Sequence, residues 1–205
     1  MFYGFVKLII GFCFKIYFRI EIYGSHHIPP TGGMILASNH VSYLDPLFMG
    51  CGINRPISFM AKQELFDIPA IGWLIRKLYV FPVKRNGADR QAIRQALEVL
   101  KHGNVLGIFP EGTRGDGVRL LKAQPGTVLL AARSGTPIVP MAIVGAEKAL
   151  PLGKLLPRPS KVKVFIGEPI YLPKFPRKSY RDALGKYSRD LMDKIDELRS
   201  YEIAA

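Results

Sequence analysis

Short apolar runs alternate with helical periods along most of this chain, and that alternation limits the fold more than any other feature. Gly33 to Ser38, Asn104 to Phe109 and Pro137 to Val144 have the length and apolar content of buried strands. Pro56 to Met60, Leu78 to Val83 and the alternating Lys161 to Ile166 are further strand candidates. Residues 88–102 predict a helix: Ala92, Ile93, Ala96, Leu97 and Leu100 share a face, and Gly103 suits its C-terminal cap. Pro125 to Arg133 predicts a second helix, opened by Pro and closed by Gly135. Residues 179–199 predict a closing amphipathic helix, with Leu184, Tyr187, Leu191, Ile195 and Leu198 along one side. Strands separated by helices build an α/β layered fold, a mixed and mostly parallel sheet flanked by helices. A chain of 205 residues with no internal repeat suits one such domain.

Residues 2–20 are apolar and aromatic apart from Lys7, Lys15 and Arg19. Those cations weigh against a spanning helix, which needs about 20 mostly uncharged apolar residues. On a helical wheel the three fall within about 120 degrees, at about 100 degrees per residue. The expected arrangement is a helix lying in a membrane interface, with cations toward head groups and Phe, Leu, Ile and Tyr toward acyl chains. A core helix is the alternative; a secretory signal is disfavoured because no small-residue cleavage site follows. The expected division is 1–24 as the interfacial helix and 25–205 as the α/β domain. Two further segments are either lipid contacts or ordinary core and loop. One is Pro69 to Tyr79, with Ile71, Trp73, Leu74 and Ile75 beside Arg76 and Lys77; the other is Leu150 to Lys161.

Lys and Arg number 29 against 16 Asp and Glu, so a polyanionic partner is expected, either nucleic acid or an anionic membrane surface. Hydrophobic residues make up 48% of the chain and mean hydropathy is +0.13, high for a soluble basic domain. The aromatic residues form no nucleic-acid signature and no basic run reads as a recognition helix. The expected partner is the membrane surface, with no nucleic acid. Cys13 and Cys51 form no CxxC and join no His/Cys cluster, so neither a disulfide framework nor a metal is expected, and both read as buried structural thiols.

Two short motifs carry the chemistry. The first is Asn39-His40-Val41-Ser42-Tyr43-Leu44-Asp45-Pro46. On a continuous helix His40 and Asp45 would stand about 140 degrees apart, so the segment is expected to be a turn. Asp45 reads as the N-cap of a helix begun by Pro46, with the imidazole curled back to the carboxylate. Asp45 would then hold the tautomer of His40, which takes a proton from an attacking alcohol. The alternative is that Ser42 or Asp45 merely caps a helix. His26, His27 and His102 have no comparable setting.

The second motif, Phe109-Pro110-Glu111-Gly112-Thr113-Arg114-Gly115, follows an apolar run, at the strand edge where ligands of open α/β sheets bind. Arg114 can grip a phosphate through its planar fork, with the Thr113 hydroxyl beside it. Gly112 and Gly115 allow close backbone approach. Glu111 can hydrogen-bond a substrate hydroxyl or orient Arg114; a polar surface turn is the alternative. Lys84 and Arg85 follow the Leu78 to Val83 run and offer further cations at the same edge; solvated surface charges are the alternative.

Together, from about Ile28 to about Ile170, the chain resembles the glycerolipid acyltransferase family, specifically its lysophosphatidic acid acyltransferases. Four blocks are similar in order: Asn39 to Asp45, Val80 to Arg85, Phe109 to Arg114, and Ile138 to Ala142. The resemblance implies that His40 is the general base and Asp45 its partner. It implies that Glu111, Arg114 and Arg85 hold the glycerol and phosphate of lysophosphatidic acid, whose sn-2 hydroxyl attacks an acyl thioester. Acyl-CoA or acyl carrier protein would be the co-substrate, phosphatidic acid the product, and no other cofactor, metal or covalent acyl-enzyme is implied. Only about 25 residues precede the core, so one interfacial helix is expected on the cytoplasmic face of the cell membrane. Glycerol-3-phosphate or another lysolipid as acceptor, and a non-enzymatic anionic-lipid-binding module, are the rival readings.

Overall fold

The structure is a computed structural model that describes residues 2–83, 89–176 and 180–201. The described strands are β1 (Glu21–Tyr23), β2 (Met34–Ser38), β3 (Ile57–Lys62), β4 (Val80–Val83), β5 (Val105–Ile108), β6 (Ile138–Val144) and β7 (Lys163–Ile166). They form one sheet in the order β1-β7-β6-β2-β5-β3-β4. Every pairing is parallel except β6 with β7. The helices are α1 (Phe2–Tyr17), α2 (Asp45–Gly52), α3 (Pro69–Lys77), α4 (Arg90–Lys101), α5 (Gly126–Ser134), α6 (Ala146–Ala149) and α7 (Tyr180–Ser200), of which α2, α3, α4 and α5 lie on the crossovers that parallel strands need. The mostly parallel sheet expected of the sequence is therefore the fold.

Every residue of β2 is buried, because helices cover both faces of the sheet. Met34 and Leu36 join one core with Phe18, with Phe48 and Met49 of α2, and with Val164; Phe14 of α1 packs against it. Ile35 and Ala37 point the other way, into a core with Ala96 and Leu100 of α4, Leu130 of α5, and Leu191 and Ile195 of α7. Alternation along one strand thus separates two helical layers. Helix α4 starts at Arg90 because the Asp89 carboxylate accepts the amides of Gln91 and Ala92, each at 3.0 Å.

The first helix has two apolar sides. Phe14 packs on Phe18 and Phe48, with ring centroids 4.9 and 5.0 Å away. Ile9, Phe12 and Ile16 face outward. The helix ends at Tyr17, so Arg19, expected on its cationic edge, lies beyond it with φ 42°. No helix among the described residues is long and apolar enough to cross a membrane. Cys13 is exposed and Cys51 half-buried, so the expectation of buried thiols does not hold.

After β2 the chain crosses to β3 on one side; after β5, the neighbour of β2, it crosses to β6 on the other. The chain therefore leaves these two neighbouring strands in opposite directions, and the carboxyl ends of strands at such a point are where ligands of α/β sheets bind. Both motifs leave the sheet at this point.

Candidate active site

Residues 39 to 44 form a turn between β2 and α2. Asn39 anchors it: its buried side chain donates to the Ile143 carbonyl at 2.9 Å and accepts the Ile143 amide at 2.8 Å. The His40 ring donates from Nδ1 to Asp45 Oδ2 at 2.7 Å. The same oxygen accepts the amides of Val41 and Ser42, each at 2.7 Å. Asp45 is not the N-cap expected for it. Leu44 holds that place, Asp45 is the first helical residue, and its carboxylate reaches back to tie down the turn before it. Three donors converging on one oxygen of this fully buried carboxylate fix its direction. With the proton of His40 on Nδ1, the lone pair is on Nε2, and the ring keeps 18% exposure.

The imidazole lies flat on Phe109, with ring centroids 3.9 Å apart and planes 15° from parallel. Phe109 is stacked in turn on Phe59, centroids 6.4 Å apart. Gly107 makes that stack possible: any side chain there would run into the Phe59 ring. The base is thus held by Asp45 at one edge and an aromatic platform beneath. Phe109 belongs to the second motif, and its role as the support of His40 is a contact between motifs that the reading of the sequence missed.

The second motif is stitched to the first. Gly115 donates its amide to the His40 carbonyl at 2.8 Å. His40 donates its amide to Glu111 Oε1 at 2.8 Å, and Leu121 donates to Oε2 at 2.8 Å. Glu111 is only 4% exposed, so both oxygens serve the backbone. No ion pair with Arg114 is made; each oxygen accepts a backbone amide. Glu111 joins the base to the following loop instead, and burial raises its pKa above the ordinary Glu value against the pull of those two amides.

Gly112 takes φ +69°, which turns the chain and leaves Gly112 and Thr113 exposed at the rim. Arg114 leans over Tyr43, its guanidinium carbon 3.5 Å from the ring centroid. Its Nη1 is buried with no hydrogen-bond partner. Tyr43 lies between His40 and Asp45 in sequence, and its hold on Arg114 is not readable there. Lys84 and Arg85 fall outside the described residues. Behind Phe109 an apolar cavity of about 190 Å³ is lined by Met60, Ile93, Ile108 and Leu130, among others.

A histidine base with a fixed tautomer, beside an arginine with an unpartnered donor, is equipped to deprotonate a hydroxyl on an anionic molecule. The comparisons with known proteins agree with that chemistry. The Acyltransferase family model matches residues 19–144. The chain is 32% identical over 182 residues to the 1-acyl-sn-glycerol-3-phosphate acyltransferase of Bacillus subtilis, covering 88% of each. It is 31% identical over 159 residues to a chloroplastic 1-acyl-sn-glycerol-3-phosphate acyltransferase of Brassica napus, covering 76% of this chain but 46% of that longer protein. Its fold matches the crystal structure of the 1-acyl-sn-glycerophosphate acyltransferase PlsC from Thermotoga maritima with TM-score 0.78 and 29% identity, over 97% of this chain and 81% of the other. The chain belongs to the acyltransferase family.

Proposed function

We propose that this acyltransferase moves a fatty acyl group from an acyl thioester to the sn-2 hydroxyl of lysophosphatidic acid, giving phosphatidic acid and a free thiol. The observation that carries the reading is the stitched pair of motifs, in which the backbone of the base His40 bonds directly to the loop that bears Arg114. The names of the Bacillus and Thermotoga relatives support the same acceptor.

The steps balance without further groups. Nε2 of His40 takes the hydroxyl proton as the oxygen attacks the thioester carbonyl. Asp45 stabilises the imidazolium that forms, and general-base catalysis by a positioned histidine is worth roughly 10² to 10⁴ in rate. The tetrahedral intermediate collapses, the C–S bond breaks, and the proton passes from His40 to the departing sulfur. Arg114 holds the acceptor phosphate, with Arg85 and Lys84 as further candidates from the family resemblance. The thioester of acyl-CoA or acyl carrier protein is the co-substrate, and the apolar cavity behind Phe109 suits an alkyl chain. The outward Ile9, Phe12 and Ile16 of α1, with exposed Lys15 beside them, suit a helix lying on the cytoplasmic leaflet, whose anionic lipids attract a basic chain.

Product analysis tests the reading. Purified protein in detergent is given lysophosphatidic acid or glycerol-3-phosphate, each with acyl-CoA and with acyl carrier protein, and the lipids are read by mass spectrometry. Phosphatidic acid from the lysolipid is the expected result. Product from glycerol-3-phosphate alone would reassign the acceptor. No acylated product with either donor would overturn acyl transfer in favour of a lipid-binding module.

A further inference from the structure

Leu155 is 91% exposed and Leu156 80%, with Leu152 also exposed nearby. They stand on the connection from α6 to β7, which is firmly held. Arg158 donates its amide to the Ala149 carbonyl at 2.7 Å and closes the base. Within the loop Lys154 donates to Pro151 at 3.0 Å, and Gly153 turns the chain at φ +77°. The Tyr17 hydroxyl, at the end of α1, donates to the Pro157 carbonyl at 3.0 Å. The Ser42 hydroxyl, within the His40–Asp45 turn, donates to the Leu150 carbonyl at 3.2 Å. The leucines therefore sit on a closed loop fixed to α1 at one end and to the site at the other. Loops of this kind, closed and surface-borne, are frequent carriers of function.

Charge selects the occupant. From Leu150 to Val164 the chain has Lys154, Arg158, Lys161 and Lys163 and no Asp or Glu. Lys161 is paired with Glu21 at 2.7 Å, while exposed Lys154 and Arg158 flank the leucines. Leucines bordered by cations fit an anionic bilayer, acyl chains meeting the leucines and phosphates the cations. A protein partner fits less well, since interfaces favour aromatic anchors and are depleted in Lys. Topology adds a second argument. Strand β6 is parallel to β2, so α6 and this loop leave the sheet at the same edge as the His40 turn.

We infer that the loop from Ala149 to Arg158 dips into an anionic leaflet beside α1 and seats the mouth of the site at the lipid surface. The lipid contact stands on the loop itself; only its service in admitting the lysolipid rests on the proposed acyl transfer.

Sedimentation of the full chain with phosphatidylcholine vesicles, with and without a quarter phosphatidylglycerol, tests the contact. Wild type should prefer the anionic vesicles. Leu155→Asp with Leu156→Asp should bind them at least about tenfold more weakly, with an unchanged thermal unfolding midpoint because both positions are solvent-facing. A second reading uses Leu155→Trp in a Trp73→Phe background, which removes the single native tryptophan. Its fluorescence should be quenched by lipids brominated on the acyl chain. Unchanged vesicle affinity in the Asp variant, or no quenching, would overturn the inference. So would concentration-dependent self-association of wild type that the Asp variant loses, which would make a second copy the occupant. Vesicle binding as expected without any acylated product would remove the proposed activity and leave the loop's role intact.

Discussion

The guanidinium carbon of Arg114 lies 3.5 Å from the centre of the Tyr43 ring, so an aromatic residue inside the histidine motif sets the plane of the cation from the other motif. Such a contact is worth about 0.5–2 kcal/mol. Tyr43→Ala should therefore raise the KM for the acceptor about two- to thirtyfold, with kcat close to wild type. Tyr43→Phe keeps the ring and should keep the KM. Arg114→Ala should raise the acceptor KM further while leaving that of the thioester alone. Steady-state kinetics with each substrate varied separately give the answer; an unchanged acceptor KM in Arg114→Ala would remove Arg114 from the site.

Glu111 accepts amides from His40 and Leu121 with its two carboxylate oxygens. In Glu111→Gln one of those amides faces an NH₂ group and loses its acceptor. The His40 turn then loosens, and kcat should fall about ten- to a hundredfold with little change in either KM.

The same residue sets a pH dependence of stability. Burial raises the pKa of Glu111 in the folded chain, so the folded state keeps its proton to higher pH than the unfolded state does. The stability this confers is fully present below the ordinary Glu value and is lost as pH rises through the raised one. Thermal unfolding followed from about pH 4 upward should show wild type losing, relative to Glu111→Gln, part of its advantage as pH rises. An advantage that grows with pH would contradict the assignment.

Much of the fold is legible because its central strands are buried on both faces and read as unbroken apolar runs: Met34 to Ser38, Val105 to Ile108 and Ile138 to Val144. The three-residue β1 is not legible. It is held by main-chain pairing with β7, and its Ile22 and Tyr23 are exposed. The apolar content of Pro69 to Lys77 is plain in sequence, but Gly72 is the buried member of that helix and Trp73 faces out, so no core stripe marks it as helical. At the site, His40, Asp45 and Arg114 stand out because their residue types carry chemistry. Their supports do not, because each is a contact between motifs: the His40–Glu111 bond spans 71 positions. What signal there is consists of two aromatic residues, Tyr43 and Phe109, at motif positions where proton transfer and phosphate binding ask for none.

Gly107 offers a test of the aromatic platform. An added methyl group would press on the Phe59 ring, which stacks on Phe109 beneath His40. Gly107→Ala should lower stability by about 1–3 kcal/mol and reduce kcat along with it. Adding Phe59→Leu makes room and should recover most of the unfolding midpoint. If Gly107→Ala unfolds and turns over like wild type, the platform has no part in holding the base.

The central claim is that His40, fixed by Asp45, removes the proton from the acceptor hydroxyl. Thiol release from acyl-CoA and from acyl carrier protein, measured with and without lysophosphatidic acid for wild type and His40→Ala, tests it most directly. The account predicts release by wild type that requires the acceptor and falls by about 10² or more in the variant, with folding and acceptor binding retained. Equal release by the two proteins would contradict it.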